Sequence, residues 1–261
     1  MFTGLIEWRD RPVGLAFTDR NGGVSRAPFD SLNLGRTGFD NADDIAENFA
    51  RLRRRLSVGK TVTVAQVHGT DVVEVDEAMA GRWHDGSELG DSVPGGVPLQ
   101  KADALVTTLP DVALCIRVGD CVPVLFFDPV VPVIGAAHAG RVGLLAGVLT
   151  KTVEVMQDRF GAQNIEAWIG PHICGGCYEV PSEMAEAAWQ AIPETRCETR
   201  WGTPSIDLGA GAEAQLRRDA SGVSVVRLGH CTYETPHAYF SHRRDHGATG
   251  RQAGLIWLPN P

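Results

Sequence analysis

Apolar and polar positions alternate along this chain with two different periods, and each period predicts a different kind of element. Residues 13–18 are largely apolar and predict a strand that runs into a Gly-rich turn. Residues 41–58 place apolar side chains at helical spacing, with acidic residues in the first turn and basic residues in the last, as in an amphipathic helix. Alternation at 61–68 and 71–75 around a short connection predicts a hairpin with His68 at its tip.

The rest of the chain mixes strands and helices in the same way. Further strands are predicted at 102–108, 112–118, both halves of 123–136, 165–173, 223–229 and 254–259, and further helices at 143–162, 181–192 and 210–220. Residues 81–101 are dense in Gly, Pro, Ser and Asp, which predicts a long loop or a lid. Because strands and helices do not alternate strictly, we predict an α+β (mixed α/β) fold in one domain spanning 1–261.

Composition and charge narrow the function classes. The formal net charge is -8 and the pI is about 5.5, which argues against nucleic-acid binding. The basic run at 51–56 follows an acidic stretch and is read as the solvated face of a helix. The N-terminal residues lack the pattern of a signal peptide, and no apolar run is long enough to span a membrane. We therefore expect a cytoplasmic protein with no membrane partner, whose six cysteines are free thiols or ligands.

The apolar run at 119–140 begins near one cysteine and ends near one histidine. If the chain folds back in its Asp-Pro-Val-Val turn, Cys121 and His138 lie directly opposite each other, with Cα atoms about 4.5 to 5.5 Å apart. A register shift of two residues leaves them as diagonal neighbours. With His68 as a third ligand, this set suits zinc and leaves one tetrahedral position open for water. The alternative is a buried Cys121 with hydrogen-bonded histidines.

Several motifs carry a resemblance to a known family. The motifs are "QVHGTDVV", "ADALVTT", "GDCVPVLFFDP", "AAHAG", "IGPHICGGCYEV" and "FSHRRDHGATGR", and together they resemble the YfiH family. This family is also called the laccase-domain or multicopper polyphenol oxidase family, and its members are now mostly described as purine nucleoside phosphorylases. The resemblance implies a single-domain, four-layer α/β/β/α fold with a metal site of His68, Cys121 and His138, which would hold zinc or, at the same site, copper.

The resemblance also implies substrates. Family members are similar in cleaving adenosine, inosine and methylthioadenosine with phosphate, and in deaminating adenosine. A second role of bacterial relatives is the editing of peptidoglycan precursors that carry serine in place of alanine. This chain departs from the family at two motifs. Arg141 stands at a Trp position and Val142 at an Arg position, which predicts a shifted anion contact, and Gly119 replaces the usual Ala.

The two purine reactions need different residues. Deamination needs an activated water and a carboxylate that moves the proton, for which Asp103 and Asp120 are candidates, although a carboxylate that caps a turn is an equal alternative. Phosphorolysis needs an anion site beside the sugar. The candidates for substrate binding are Arg20, Asn33, Arg141, Arg243 and Arg244. Surface arginines are usually only solvated, and Asn33 is also read as a turn residue.

Other patterns in the sequence say less about function. Cys174 and Cys177 form a CxxC that is either a redox pair or a tight turn. The chain has only eight histidines, too few for the copper centres of a laccase, so weak polyphenol oxidation would require adventitious copper. Two other classes stay open: a hydrolase that uses the metal or a Cys121 nucleophile with His138 as base, and a non-catalytic binding protein with a structural metal. The sequence does not determine the oligomeric state.

Overall fold

Short strands make up most of the regular structure. The structure, a computed structural model, describes residues 1–7, 13–35, 40–81, 92–93, 97–219 and 223–260. The strands are β1 Phe2–Glu7, β2 Gly14–Thr18, β3 Lys60–Val62, β4 Val72–Glu74, β5 Ser92–Val93, β6 Val97–Pro98, β7 Ala104–Thr107, β8 Val112–Val118, β9 Val122–Asp128, β10 Val133–Ala139, β11 Glu166–Ile169, β12 Arg196–Glu198, β13 Pro204–Ile206, β14 Ser224–Arg227 and β15 Gln252–Trp257. The helices are α1 Ala42–Leu56, α2 Glu77–Ala80, α3 Arg141–Leu145, α4 Val148–Phe160, α5 Ser182–Ala191 and α6 Leu208–Asp219.

Two larger sheets organise these strands. Sheet 1 has the order β1-β2-β15-β8-β3, and sheet 2 has the order β14-β11-β9-β10-β7-β4. Both sheets mix parallel and antiparallel pairs, since β3 is parallel to β8 and β4 is parallel to β7, whereas β9 and β10 are antiparallel. Two short ladders, β5-β6 and β12-β13, lie outside them. The mixed sheets predicted from the sequence are confirmed.

The layers follow from the two faces of each strand. In β9, Leu125 and Phe127 point into a core shared by the two sheets, while Val124 and Phe126 point into a second core. This second core lies between sheet 2 and helices α4, α5 and α6. On the far side, Phe49 of α1 packs against the outer face of sheet 1 in a third core. The order helix, sheet, sheet, helix confirms the four-layer fold.

The predicted hairpin at 61–75 is wrong. Strand β3 pairs with β8 in sheet 1, whereas β4 pairs with β7 in sheet 2, so the chain crosses from one sheet to the other between them. The alternating pattern is still satisfied, because Val62 and Val73 both face the core between the sheets. Periodicity identifies the buried side chains but not the partner strand. His68 therefore lies in a crossing segment and not at a hairpin tip.

The predicted hairpin at 123–136 is confirmed, but its turn is longer. Asp128 pairs with Val133, so four residues form the turn, and His138 stands opposite Pro123. The Asp128 carboxylate accepts the backbone N–H groups of Val130 and Val131 at 2.8 and 3.0 Å, which favours the wider turn. Cys121 thus becomes a diagonal neighbour of His138, the second of the two registers considered.

The helix predicted at 143–162 is two helices. Helix α3 ends at Leu145, and α4 begins at Val148 after Gly147, whose φ is +92°. A left-handed residue cannot continue an α-helix, and glycine adopts it at little cost. The expected loop at 81–101 lies largely outside the described residues. Among the described residues, no helix combines the length and the apolar character that a bilayer crossing requires.

Candidate metal centre

Three candidate ligands meet where the chain passes between the sheets. His68 lies in the crossing from β3 to β4, and Cys121 lies in the crossing from β8 to β9. His138 is the penultimate residue of β10. Their ligand atoms all lie within 4.8 Å of one another, and Cys121 Sγ is 3.8 Å from His68 Nε2. The structure thus brings together the three residues that the sequence analysis selected.

Asp103, just before β7, holds two of these ligands in place. Its carboxylate accepts the backbone N–H groups of Val67, His68 and Gly69 at 3.1, 2.9 and 2.6 Å. One of its oxygens is also 2.8 Å from His138 Nδ1. This contact leaves Nε2 of His138 for a metal, the arrangement by which a carboxylate orients a metal-binding histidine. Asp103 is fully buried, so the structure gives it a positioning role.

Two glycines allow the ligands to approach so closely. A Cβ atom on Gly140 would lie 2.4 Å from His68 Cδ2 and 3.3 Å from Cys121 Sγ. A Cβ atom on Gly143 would lie 2.7 Å from the carbonyl oxygen of Gly69. Any side chain at either position would push the His68 segment away from the site. The glycines of the "AHAGRVG" motif are therefore required by packing around the ligands.

The charges in the site favour metal binding. Burial opposes ionisation of the Cys121 thiol, but His138 and His68 outweigh burial and lower the pKa of Cys121 to about 6. Burial also disfavours a charged His138 ring, yet the Cys121 sulfur and the Asp103 carboxylate raise the pKa of His138 to about 9. The metal-free pair is thus stabilised as thiolate and imidazolium. A metal ion would take the place of the imidazolium proton between the same two groups.

The ligand set fits zinc. With Zn–S of about 2.3 Å and Zn–N of about 2.0 to 2.1 Å, a tetrahedral site has a sulfur-to-nitrogen edge of about 3.6 Å. The observed 3.8 Å between Cys121 Sγ and His68 Nε2 requires little movement. His68 is exposed, Cys121 is half-buried and His138 is buried, so a bound ion is reached from the His68 side. Two imidazoles and one thiolate also suit copper, so the residues alone do not choose between the two metals.

A cavity of about 610 Å³ opens on the ligands. His68, Cys121 and His138 form part of its lining, within the volume range of small-molecule sites. The remaining lining is rich in positive charge, and its cationic or titratable members are Lys101, Arg117, Arg251 and His242. No Asp or Glu of the described residues lines it. The cavity thus combines a metal-ligand cluster with an anion-attracting wall.

Sequence reasoning missed this positive wall. Arg251 lies in the "HGATGR" motif, where its guanidinium donates to the carbonyl oxygens of Thr249 and Gly250 at 3.1 and 2.8 Å. A Cβ atom on Gly119 would lie 3.1 Å from Arg251 Cδ, so the departure from Ala at position 119 gives this arginine room. The signal was present in the motif, but only the fold places residue 251 beside residue 121.

Three of the predicted substrate-binding residues are engaged elsewhere. Arg20 donates to the carbonyl oxygens of Asp30 and Pro236 at 2.7 and 2.9 Å. Asn33 is fully buried, and its side-chain oxygen accepts the backbone N–H groups of Gly35 and Arg251. Arg244 is tied to Asp245 and to the carbonyl oxygens of Thr232 and Tyr239. The structure does not bring these side chains to the cavity lining, and it gives each of them a place in holding loops together.

Arg141 and Arg243 lie nearer the ligands, around Tyr178. The Arg243 guanidinium stacks over the Tyr178 ring at 4.9 Å. Burial raises the pKa of Tyr178, the Cys121 sulfur raises it further, and Arg141 and Arg243 oppose both. Neither arginine is among the residues that line the cavity. Their role in substrate binding stays a prediction.

Both carboxylate oxygens of Asp120 are hydrogen-bonded within the protein. One carboxylate oxygen accepts the Thr232 hydroxyl at 2.6 Å, and the other accepts the backbone N–H of Arg243 at 2.7 Å. Its φ is +97°, and that of His68 is +62°. Left-handed backbone at non-glycine residues costs about 1 to 3 kcal/mol, and it persists only where neighbours enforce it. His68 is one of the candidate metal ligands, and Asp120 directly precedes another.

The fold and the site together define a class of four-layer α/β/β/α proteins with a His-Cys-His metal-ligand cluster between two sheets. The chain belongs to the multi-copper polyphenol oxidoreductase laccase family, also known as the YfiH family, whose model matches residues 14–259. It is similar to a purine nucleoside phosphorylase of Streptomyces griseus, at 43% identity over 97% of this chain and 99% of that protein. A purine nucleoside phosphorylase of Streptomyces coelicolor is 41% identical over 97% of this chain and 100% of that protein.

Solved structures agree with this assignment. The YfiH protein of Bacillus licheniformis matches with a TM-score of 0.83 and 29% identity, over 94% of this chain and 92% of that one. The YlmD protein of Geobacillus stearothermophilus matches with a TM-score of 0.83 and 30% identity, over 95% of this chain and 93% of that one. The family predicted from the sequence is confirmed.

Proposed function

We propose that this chain is a zinc-dependent purine nucleoside phosphorylase that acts in the cytoplasm on adenosine, inosine and methylthioadenosine. The observation that carries the proposal is the cavity, in which the His68, Cys121 and His138 cluster shares one space with Lys101 and Arg251. A phosphorylase must hold a phosphate dianion and a nucleoside side by side. The names of the relatives support the same reaction.

In this reaction the positively charged residues of the cavity lining would bind the phosphate. A phosphate oxygen forms a bond to C1′ of the ribose, and the C1′–N9 bond breaks with its electron pair passing to the purine. The products are ribose 1-phosphate and the free base. Lys101 and Arg251 would hold the phosphate, since charge-assisted hydrogen bonds are the strong ones in such sites. Arg251 is preorganised for this work because two backbone carbonyls already fix its guanidinium.

The departing purine needs a proton. His242 lines the cavity, is exposed and lies outside the metal-ligand cluster. Histidine is the side chain best suited to general acid catalysis near neutral pH. We assign to His242 the transfer of a proton to the purine as the C1′–N9 bond breaks. Gln66 also lines the cavity, but its side-chain amide already donates to the Arg117 carbonyl and accepts the Arg117 backbone N–H.

The metal and the second reaction belong to the same proposal. When bound by His68, Cys121 and His138, zinc would supply Lewis-acid chemistry to both reactions, because it would stabilise negative charge on the phosphate in phosphorolysis and acidify the water that adenosine deamination uses. Deamination also needs a carboxylate that moves a proton, and no carboxylate of the described residues lines the cavity. The oxygens of Asp103 are occupied by three backbone N–H groups and His138. The residues therefore favour phosphorolysis, with deamination as the slower reaction.

Product analysis tests the proposal. The purified protein is incubated with adenosine, with and without phosphate, and the products are separated by chromatography. We expect adenine and ribose 1-phosphate only with phosphate, and loss of both in His68→Ala. His237→Ala, which changes an exposed histidine outside the cavity lining, serves as the matched control and should keep full activity.

The other outcomes separate the alternatives. Inosine formed equally in both buffers would indicate that deamination is the main reaction. The absence of product from adenosine, inosine and methylthioadenosine in both buffers would contradict the proposal. The next substrates to test would then be a peptidoglycan precursor carrying serine, and a polyphenol with copper-loaded protein.

A further inference from the structure

A second group of metal ligands lies apart from the cavity. The sulfur atoms of Cys174, Cys177 and Cys231 and a carboxylate oxygen of Glu234 all lie within 4.8 Å of one another. We call these four residues the thiol cluster. None of them lines the cavity, and neither the proposed reaction nor the ligands around His68 use them. All six cysteines of the chain are free thiols, so the three sulfurs are available as ligands.

The backbone around the thiol cluster is arranged as in structural metal sites. Cys174 and Cys177 belong to one tight turn, in which the backbone N–H groups of Cys177 and Tyr178 donate to the Cys174 carbonyl at 3.0 and 3.1 Å. The backbone N–H of Cys174 donates to Cys231 Sγ at 3.4 Å. An N–H directed at a sulfur stabilises the thiolate, the form that binds a metal. A CxxC turn joined by ligands from a distant segment is a common element of structural zinc sites.

A positive charge already occupies part of the thiol cluster. Arg200 donates to Cys177 Sγ at 2.9 Å and pairs with the Glu234 carboxylate. The Arg200 side chain is 52% exposed, so it can swing into solvent without disturbing the core. The arginine thus stands where negative ligands need a cation. A divalent ion would satisfy the same sulfur and carboxylate with shorter, stronger bonds.

The surrounding chain would gain from a cross-link. Between β14 and β15 the structure has no helix or strand, although every residue of that stretch is described. Cys231 and Glu234 lie in this stretch, and Cys174 and Cys177 lie in a turn after β11. Long segments without regular structure are uncommon inside a compact domain. A metal ion at the thiol cluster would tie the two segments together.

We infer that Cys174, Cys177, Cys231 and Glu234 form a second, structural metal site that takes a zinc ion. A tetrahedral site with a Zn–S bond of about 2.3 Å and a Zn–O bond of about 2.0 to 2.2 Å has a sulfur-to-oxygen edge of about 3.6 Å. Cys174 Sγ is already 3.8 Å from the Glu234 carboxylate, so the cluster needs only a small contraction. With four protein ligands the site is closed to substrate, which distinguishes it from the open site at His68.

The thiol cluster also supports the first site through its neighbours in sequence. Thr232 follows Cys231 and donates its hydroxyl to Asp120, the residue before Cys121. Ile173 precedes Cys174 and donates its backbone N–H to the Asp120 carbonyl at 2.9 Å. Loss of the second ion should therefore loosen the segment that carries Cys121. The inference itself does not depend on the proposed phosphorylase reaction.

Metal content tests the inference on the full chain. Each protein is reduced, stripped of metal, reloaded with zinc and desalted, and zinc per chain is measured by mass spectrometry. We expect about two ions in the wild type, about one in Cys121→Ser, about one in Cys231→Ser and none in the double variant. Cys197→Ser is the matched control, because this half-buried thiol lies next to the turn but outside the ligand group. It should keep two ions.

The absorption spectrum of cobalt-loaded protein tests the inference even if Cys231→Ser fails to fold. Cobalt loaded into Cys121→Ser should show the thiolate charge-transfer absorption of several sulfur ligands, since only the thiol cluster remains intact. Zinc content of zero in Cys121→Ser, or a cobalt complex without that absorption, would overturn the inference. A disulfide among residues 174, 177 and 231 that persists in the wild type under reducing conditions would overturn it as well. Such a disulfide would be detected as a mass lower by two hydrogens.

Discussion

Substitution of Gly140 by alanine should disable the candidate metal site without unfolding the protein. The new Cβ atom would lie 2.4 Å from His68 Cδ2 and 3.2 Å from His68 Nε2. Ordinary contact begins at 3.4 Å, so the imidazole must retreat by about 1 Å. The φ of Gly140 is −74°, which alanine adopts without strain. The perturbation is thus a single steric push on one ligand.

The expected loss of zinc affinity follows from how little displacement of a ligand a metal site tolerates. Ligand distances must stay within about 0.2 Å of their normal values, so a shift of about 1 Å removes His68 from the coordination sphere. Misplacing a residue that merely orients a ligand costs about 10- to 100-fold in metal affinity. Losing a ligand should cost at least about 100-fold, which corresponds to about 2.7 kcal/mol. The His68 side chain is exposed and can move toward solvent while its backbone stays hydrogen-bonded to Asp103, so the fold survives.

Zinc titration against a chromophoric chelator checks this prediction. The titration uses the Cys231→Ser background, so that the thiol cluster does not contribute, and the melting temperature of the metal-free proteins reports folding. Gly229→Ala is the matched control, because a Cβ atom there meets nothing within 4 Å. A zinc affinity in Gly140→Ala equal to that of the Cys231→Ser parent would refute the reasoning, and so would an equal loss in Gly229→Ala.

Three further substitutions probe other parts of the argument. Asp103→Asn leaves the partly buried N–H groups of Val67 and Gly69 without an acceptor, so we expect urea unfolding to show a loss of about 2 kcal/mol. Unchanged stability would contradict the positioning role of Asp103. Arg251→Gln should raise the KM for phosphate at least about tenfold and the KM for nucleoside much less, in steady-state kinetics; equal effects on both would remove Arg251 from the phosphate site. Burial opposes ionisation of Asp128, but four backbone N–H groups outweigh burial and lower its pKa below the usual value of about 3.9. The ionised carboxylate therefore stabilises the fold fully above about pH 4, and this stabilisation is lost as the pH falls through the folded-state pKa. Asp128→Asn should flatten that acid loss in urea unfolding measured from pH 5 to pH 2, and identical pH profiles would show that the carboxylate contributes nothing.

Elements with a strong local signal were predictable from the sequence. Helix α1 has an acidic first turn, a basic last turn and a clear apolar stripe, and all three survive in the structure. Strands β9 and β10 are continuous apolar runs buried on both faces, so no other element competes for those residues. The three candidate ligands could also be selected from the sequence, because two of them flank that hairpin, and the structure brings them together.

Pairings between distant segments were not predictable. The crossing from β3 to β4 has the same alternation as a hairpin, and only the positions of β8 and β7 decide otherwise. Arg251 comes beside Cys121 because β15 pairs with β8, a contact between segments far apart in sequence. The thiol cluster joins Cys231 to the CxxC turn for the same kind of reason. That residues 1–261 form one domain stays a prediction.

The position of His68 and Cys121 in the two crossings has a mechanical consequence. Each crossing has one end in sheet 1 and the other in sheet 2, so the distance between the two ligands depends on the spacing and relative tilt of the layers. That spacing is set by the side chains packed between the sheets, among them Leu114, Leu125 and Phe127. A core substitution far from the cavity would therefore change metal affinity without touching a ligand. Variation in the buried layer gives this fold a way to tune its site while every residue that lines the cavity stays the same.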